Sequence, residues 1–240
     1  MKKIILSALA AFFMVSSAYA DTVRMGTEGA YPPYNFINDN GEVDGFEKDV
    51  GDMLCIRANL DCVWVINEWD SIIPNLVSGN YDTIIAGMSI TAERDEVIDF
   101  TQDYFPPSPS VYMGMSGSDV DLEGGVIAAQ TATIQAGYVA ESGATLVEFA
   151  TAEETISAVQ NGEADAVLAD GDYLASIIAE SGGEFANVGE VSIGGGVGMG
   201  IRESDGDLKA TMDKAISSMK DDGSLNALIK KWFGNDANTF

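Results

Sequence analysis

One short segment of this chain brings together a serine, an arginine and the start of a helix. The segment from Gly87 to Arg94 follows residues 82–86, an apolar run typical of a buried strand, and precedes polar residues with helix signals. We expect Thr91 to cap that helix, which places Arg94 in a first turn where free backbone N–H groups already make the site positive. The Ser89 hydroxyl, unpaired amides and the guanidinium would together form a carboxylate receptor. The alternative is that the arginine pairs in solvent with the two acids that follow it.

The elements that must position this segment alternate between strands and helices. We predict strands at 22–28, 62–67, 81–86, 125–129, 144–149 and 164–169. Helix starts are predicted after Asp44, which forms a capping-box pattern with Glu47, and at Asp70, Thr133 and Thr151. This order predicts an α/β fold with mostly parallel sheets flanked by helices.

Two segments divide the chain into a pair of lobes. Residues 106–110 contain three prolines and cannot lie inside a helix or a central strand, so we expect them to lead into a crossover. The glycines at 194–196 and 198 predict a flexible return crossover. The predicted lobes are 21–108 plus 198–240 and 109–197, with hinges near 106–112 and 193–199. Ligands of open sheets bind at the carboxyl ends of strands, where the second lobe presents Asp170.

The first 20 residues have the pattern of a cleaved export signal. Two lysines precede an apolar run from Ile4 to Val15, and Ala18-Tyr19-Ala20 forms a small-residue cleavage site. We expect a mature chain from Asp21. No cysteine near that site could carry a lipid, and no later apolar run approaches the roughly 20 residues of a membrane span. We therefore expect an exported, soluble protein.

The composition excludes several classes of function. The chain has a net charge of −26 and no histidine. Nucleic acids and anionic membrane surfaces are poor partners for so acidic a chain, whereas cationic solutes are favoured. Without histidine there is no imidazole catalysis and no histidine-bound metal, and we expect no cofactor or metal. The two cysteines, Cys55 and Cys62, predict a structural disulfide because the chain is expected to be exported and too few soft ligands remain for a metal.

Five motifs occur in a characteristic order along the chain: Tyr31-Pro32-Pro33-Tyr34, Gly45-Phe46-Glu47-Lys48-Asp49, Trp69-Asp70-Ser71-Ile72-Ile73-Pro74, Ser89-Ile90-Thr91-Ala92-Glu93-Arg94, and Ala164-Asp165-Ala166-Val167 leading to Asp170. Together they resemble one family, the periplasmic solute-binding proteins of polar amino-acid ABC importers. The resemblance covers the whole predicted mature chain. The cysteine spacing also resembles the disulfide of lysine/arginine/ornithine and histidine binders. The resemblance implies a two-lobed type II periplasmic-binding-protein fold and no catalytic residues.

The resemblance also implies a role for each residue of the site. Arg94 would hold the α-carboxylate of an amino acid in a bidentate fork, and Asp170 would take the α-ammonium. Tyr31 and Trp69 would close over the aliphatic part of the ligand. Further contacts are expected from Gly87, Met88, Ser89, Ala132 and Thr133. Thr131 stands where the family commonly has glycine, so either Thr131 or Thr133 could reach the carboxylate, and we favour Thr133.

Glu28 carries the prediction of specificity. An acid three residues before the pocket tyrosine resembles the partner of the side-chain cation in basic-amino-acid binders, which favours arginine, lysine or ornithine. Glutamine binders also have an acid here, and Gly87 in place of a serine resembles them. A solvated acid is the commonest fate of any glutamate.

The expected protein is a monomer that delivers its amino acid to the membrane permease of an ABC importer. A rival from another class is an exported enzyme, because some cyclohexadienyl dehydratases resemble this family. Such enzymes would be expected to lack the acidic grip of Asp170 on an α-ammonium. No general acid or nucleophile stands out in the sequence.

Overall fold

The structure, a computed structural model, describes residues 22–240. The predicted export signal and its cleavage site therefore lie outside the described residues. Among the described helices, none has the length and apolar character needed to cross a bilayer.

The strands and helices alternate along the described chain. The strands are β1 (Thr22–Thr27), β2 (Ala30–Tyr31), β3 (Asn35–Ile37), β4 (Val43–Asp44), β5 (Asp61–Ile66), β6 (Thr83–Ile84), β7 (Asp99–Phe105), β8 (Ser110–Met115), β9 (Val126–Gln130), β10 (Thr145–Phe149), β11 (Ala166–Asp170), β12 (Phe185–Val191) and β13 (Val197–Ile201). The helices are α1 (Phe46–Ala58), α2 (Ile72–Val77), α3 (Ala92–Asp95), α4 (Ile134–Glu141), α5 (Ala152–Gln160), α6 (Gly171–Glu180), α7 (Gly206–Asp221) and α8 (Ser224–Phe233). A short 3-10 turn, Trp69–Ser71, leads into α2.

Two five-stranded sheets form two lobes. The first has the order β5-β1-β6-β13-β7 and the second has the order β10-β9-β11-β8-β12. In the first sheet β5, β1 and β6 are parallel, and in the second β10, β9 and β11 are parallel. Strands β8 and β13 join their sheets in the antiparallel direction. The α/β class and the mostly parallel sheets predicted from the sequence are confirmed.

The central strands are buried on both faces, as parallel strands under helices must be. All five residues of β13 and the first four of β11 are buried. Helix α1 packs on the first lobe through Phe46, Val50 and Leu54, which are fully buried. The core therefore holds the carboxyl ends of β1, β6, β9 and β11 in fixed positions.

The chain passes between the sheets twice. It leaves the first sheet after Phe105 and enters the second at Ser110, and it returns between Val191 and Val197. These passages coincide with the proline segment and the glycine segment of the sequence, while the exact lobe and hinge boundaries stay predictions. Cys55 and Cys62 form a disulfide that links α1 to β5, as predicted.

Helix capping follows the sequence at three positions and departs from it at one. The side chains of Thr91, Thr133 and Thr151 each accept a backbone N–H of the first helical turn, and Thr151 forms a full capping box. The predicted capping box at Asp44 is wrong, because Gly45 occupies the cap with a φ of 119° and no side chain bonds there. A side chain at Gly45 would place its Cβ 2.5 Å from the carbonyl oxygen of Tyr34, so the close approach requires glycine.

Candidate functional site

A cavity lies between the two lobes, where the carboxyl ends of β1 and β6 face those of β9 and β11. It encloses about 480 Å³ of space that protein atoms do not fill, its mouth included, which suits a small molecule. The lining residues are Glu28, Tyr31, Trp69, Ala86, Gly87, Ser89, Arg94, Gln130, Thr133, Ile134, Gln135, Ala152, Thr155, Leu168, Ala169 and Asp170. Eight of the ten predicted site residues are therefore brought together around one cavity.

Arg94 reaches the cavity from the first turn of α3. One guanidinium nitrogen donates to the carbonyl oxygen of Ser89 at 2.9 Å, and another donates across the lobes to the carbonyl oxygen of Ala132 at 3.4 Å. Within residues 22–240 no carboxylate lies within ion-pair distance of this guanidinium, so the solvent pair considered from the sequence does not form. Burial lowers the pKa of Arg94 to about 10, which leaves it charged at neutral pH. The arginine keeps donor capacity for an anion.

Trp69 supports Arg94 from below. The guanidinium carbon lies 5.4 Å from the centre of the Trp69 ring, which is a cation–π arrangement. The indole is buried at 8% exposure and packs on Ile72 and Leu76. The wall of the cavity thus also fixes the position of its cation.

Asp170 ends β11 and faces Arg94 from the other lobe. Its Oδ2 accepts the hydroxyl of Tyr31 at 2.8 Å, and its Oδ1 accepts the side-chain amide of Gln135 at 2.9 Å. The carboxylate makes no capping bond to the helix that follows. Burial raises the pKa of Asp170, while the bonds from Tyr31 and Gln135 and the charge of Arg94 oppose that rise. Each carboxylate oxygen retains a lone pair for a further donor such as an ammonium.

Tyr31 connects the two lobes as well as lining the cavity. Its hydroxyl donates to Asp170, and its ring stacks on that of Tyr173 with the centroids 4.0 Å apart. Since Tyr31 belongs to the first lobe and Tyr173 to the second, the pair buries aromatic surface only when the lobes meet. The structure is therefore a closed conformation.

Glu28 lies at the carboxyl end of β1 and is not solvated. It is 8% exposed, and its Oε1 accepts the side-chain amide of Gln130 at 2.6 Å across the lobes. Burial raises the pKa of Glu28 to about 7, the bond from Gln130 opposes this, and the charges of Glu68 and Glu47 add to it. A buried carboxylate without a cation beside it is costly unless a positive group binds there.

The charges of the cavity do not balance. Arg94 is the single basic residue of the lining, whereas Glu28 and Asp170 supply two carboxylates. The lining therefore holds one positive group and two acidic groups, and the Glu28 carboxyl is ionised only in part near neutral pH because its pKa is raised to about 7. No group of three or more acidic, cysteine or histidine side chains within residues 22–240 could hold a metal ion.

The remaining predicted residues occupy different positions. Thr133 lines the cavity, but its hydroxyl donates to the carbonyl oxygen of Gln130 and caps α4, so the hydroxyl has no proton left to donate to a carboxylate. Thr131 donates to Glu148 at an exposed position. Ala132 has a φ of 56° and offers its carbonyl to Arg94. Met88 is fully buried in the core beneath the site and does not line the cavity.

Sequence reasoning missed the two glutamines of the site. Gln130 was adjacent to the predicted strand 125–129, and the rule that ligands lie at strand ends could have singled it out. Gln135 is 4% exposed and is the second residue of α4, where nothing in the local pattern distinguishes it from a surface residue.

Comparison with known proteins agrees with this geometry. The sequence profile of the bacterial extracellular solute-binding proteins, family 3, matches residues 23–235, and the chain belongs to that family.

Three known proteins are similar to this chain over nearly its whole length. The crystal structure of a periplasmic His/Glu/Gln/Arg/opine family-binding protein from Silicibacter pomeroyi in complex with lysine is 73% identical, with a TM-score of 0.89, and covers 91% of this chain and 100% of that one. The lysine/arginine/ornithine-binding periplasmic protein of Escherichia coli (strain K12) is 31% identical over 97% of both chains. The L-arginine-binding protein of Pseudomonas aeruginosa is 31% identical over 98% of both chains.

Proposed function

We propose that this protein captures a free cationic L-amino acid, such as lysine, arginine or ornithine, between its lobes and delivers it to the permease of an ABC importer. The observation that carries the proposal is the unbalanced charge of the cavity, with Arg94 and Asp170 facing each other and Glu28 buried beside Tyr31. The lysine bound by the 73% identical relative supports the same ligand class. The protein acts in the periplasm as a monomer, after cleavage of the leader before Asp21.

The roles of the residues follow from their positions. Arg94 takes the α-carboxylate, together with backbone at the start of α4, and Asp170 takes the α-ammonium with the Gly87 carbonyl and Ser89. Tyr31 and Trp69 enclose the aliphatic chain, and Glu28 accepts the terminal cation. The lobes, 21–108 plus 198–240 and 109–197, open and close at the two crossovers.

The proposal assigns no chemical step to the site. Both oxygens of Asp170 are engaged by fixed donors, and the chain has no histidine to move a proton. The grip on a zwitterion stabilises the ground state of an amino acid, which is the requirement of a carrier. A turnover assay with prephenate or arogenate that gave product would instead favour the dehydratase alternative.

Glutamine is a second candidate ligand, and the state of Glu28 favours it. Since the pKa of Glu28 is raised to about 7, the carboxyl can be neutral near pH 7 and then suits the uncharged amide of glutamine. Protonation would thus weaken the preference for a cation without altering the grip on the backbone of the ligand.

A crystal structure of the lysine complex tests the proposal. We expect the ε-ammonium within hydrogen-bond distance of Glu28, about 3 Å, and the α-carboxylate on the Arg94 guanidinium. A lysine whose α-carboxylate lies away from Arg94, or whose α-ammonium lies away from Asp170, would overturn the assignment.

A further inference from the structure

Glu47 is a buried carboxylate that the ligand site does not use directly. It is 0% exposed in the first turn of α1, and it does not line the cavity. Within residues 22–240 no lysine or arginine pairs with it. Placing an acid in such surroundings costs free energy, so its partners identify what it contributes.

Three donors converge on Glu47. Its Oε1 accepts the backbone N–H of Gly87 at 2.6 Å and the hydroxyl of Tyr104, and its Oε2 accepts the side-chain amide of Asn35 at 2.6 Å. The bond to Gly87 is 40 residues distant in sequence and fixes a turn with a φ of 64°. This turn follows β6 and faces the cavity.

The network continues to the second cavity-facing turn of the same lobe. The Oδ1 of Asn35 accepts the backbone N–H of Gly29 at 2.7 Å, directly after Glu28. One carboxylate thus ties the turn that carries Glu28 to the turn that carries Gly87. Gly29 and Gly87 themselves lie outside the regular strands, so their backbone N–H groups depend on these side-chain acceptors.

We propose that Glu47 is a positioning residue for ligand recognition, holding the two cavity-facing turns of the first lobe in register through Gly87 and Asn35. This inference rests on the proposed function and explains how the two turns of the first lobe are held in position for ligand binding. Glu47 does not line the cavity, so we expect its loss to weaken the binding of every amino acid by a similar factor. A loss of Glu28, by contrast, changes the preference among them.

A reciprocal exchange of amide and acid tests the role. Glu47→Gln sets its amide against the amide of Asn35, and we expect lysine and arginine each to bind about 10-fold more weakly, the loss of one hydrogen bond to a charged group. In the double variant Asn35→Asp with Glu47→Gln, the amide introduced at position 47 donates to the carboxylate introduced at position 35, which still accepts the N–H of Gly29. We expect the double variant to bind within about 3-fold of the parent.

Tyr104→Phe is the matched control, because it removes a donor from the same carboxylate and leaves both turns tied. It should lower the melting temperature and leave both dissociation constants within about 2-fold of the parent. The role is overturned if Glu47→Gln behaves like Tyr104→Phe, or if the double variant restores neither folding nor affinity. If the parent protein binds no amino acid, the proposed function fails instead, so the two failures are distinguishable.

Discussion

The side-chain amide of Gln130 donates to the carboxylate of Glu28 at 2.6 Å, across the gap between the two lobes. Gln130 ends β9 in the second sheet, and Glu28 follows β1 in the first. Glu28 of the first lobe is therefore oriented by a residue of the second lobe. In the proposed role of Glu28, ligand selection and lobe closure share this hydrogen bond.

Replacing Glu28 with Gln should weaken the binding of lysine and arginine much more than the binding of glutamine. The variant keeps the size of the side chain and removes the carboxylate, and we expect about a 100-fold loss for the cationic ligands, since truncating one partner of a buried charge pair costs about 2–5 kcal/mol. Calorimetric titration measures the affinity for the cationic ligands and for glutamine. Glu68→Gln is the control, because Glu68 is an exposed acid close enough to influence Glu28. Equal losses for lysine and glutamine would contradict the role of Glu28.

The affinity for lysine should rise with pH through neutrality. The pKa of Glu28 is about 7 in the structure, and a bound ammonium must lower it, so lysine binding at pH 6 releases a proton that binding at pH 8.5 does not. Calorimetry in two buffers of different ionisation enthalpy counts that proton. Glu28→Gln should abolish the difference, and a proton count unchanged in the variant would assign the titration to another group.

The same raised pKa predicts the opposite trend for the stability of the ligand-free protein. An acid whose folded pKa lies above its unfolded value binds more protons in the folded state, so its contribution favours folding at low pH and is lost as the pH rises from about 4.5 to about 7. Urea unfolding at pH 5 and pH 8 of parent and Glu28→Gln isolates this contribution, and the parent should lose more stability than the variant.

Replacing Arg94 with Lys should abolish tight binding of every amino acid. Lysine retains the charge but not the planar fork that can hold a carboxylate while bonding to Ser89 and Ala132. We expect at least a 100-fold loss for lysine and glutamine alike, about 3 kcal/mol. Arg24 pairs with Asp82, and neither residue lines the cavity, so Arg24→Lys is the control. A selective loss for one ligand would mean that Arg94 recognises the side chain and not the shared carboxylate.

Replacing Gln130 with Leu should shorten the lifetime of the complex. The variant leaves Glu28 without its donor and removes a bond that forms only on closure, so we expect dissociation to be about 10-fold faster, with little change in association. Stopped-flow fluorescence of the tryptophans measures both rates. A change confined to the association rate would contradict a role in holding the lobes closed.

Removing the disulfide should affect stability and not binding. Replacing both Cys55 and Cys62 with Ser removes a short loop constraint worth about 2.5 kcal/mol by loop entropy. The disulfide links α1 to β5, outside the cavity, so the dissociation constant for lysine should stay within about 2-fold. A large loss of affinity would show that α1 communicates with the site through more than Glu47.

Local signals in the sequence were sufficient for much of the fold. Thr91, Thr133 and Thr151 cap their helices as predicted, because the first N–H groups of a helix have no partner within the helix and a threonine hydroxyl just before it can accept one of them. The pattern at Asp44 and Glu47 looks the same in sequence, yet Glu47 turns inward to Gly87, 40 residues away. A capping motif carries no information about a partner so distant.

The site divides in the same way. Strand ends and a family resemblance were enough to predict four residues of the site from the sequence: Arg94, Asp170, Tyr31 and Trp69. The contacts that orient the site could not be predicted, since the Gln130 bond to Glu28 spans 102 residues and the Gln135 bond to Asp170 depends on how α4 packs. Which acids remain buried and which are solvated is decided by tertiary packing.

Calorimetric titration of the purified protein with lysine, arginine, ornithine, glutamine and glutamate at pH 8 tests the central claim most directly. At this pH Glu28 is mostly ionised, and the account predicts that the three cationic amino acids bind tightly, that glutamine binds at least 10-fold more weakly, and that glutamate fails to bind. Tight binding of glutamine or glutamate with no binding of the three cationic amino acids would contradict it.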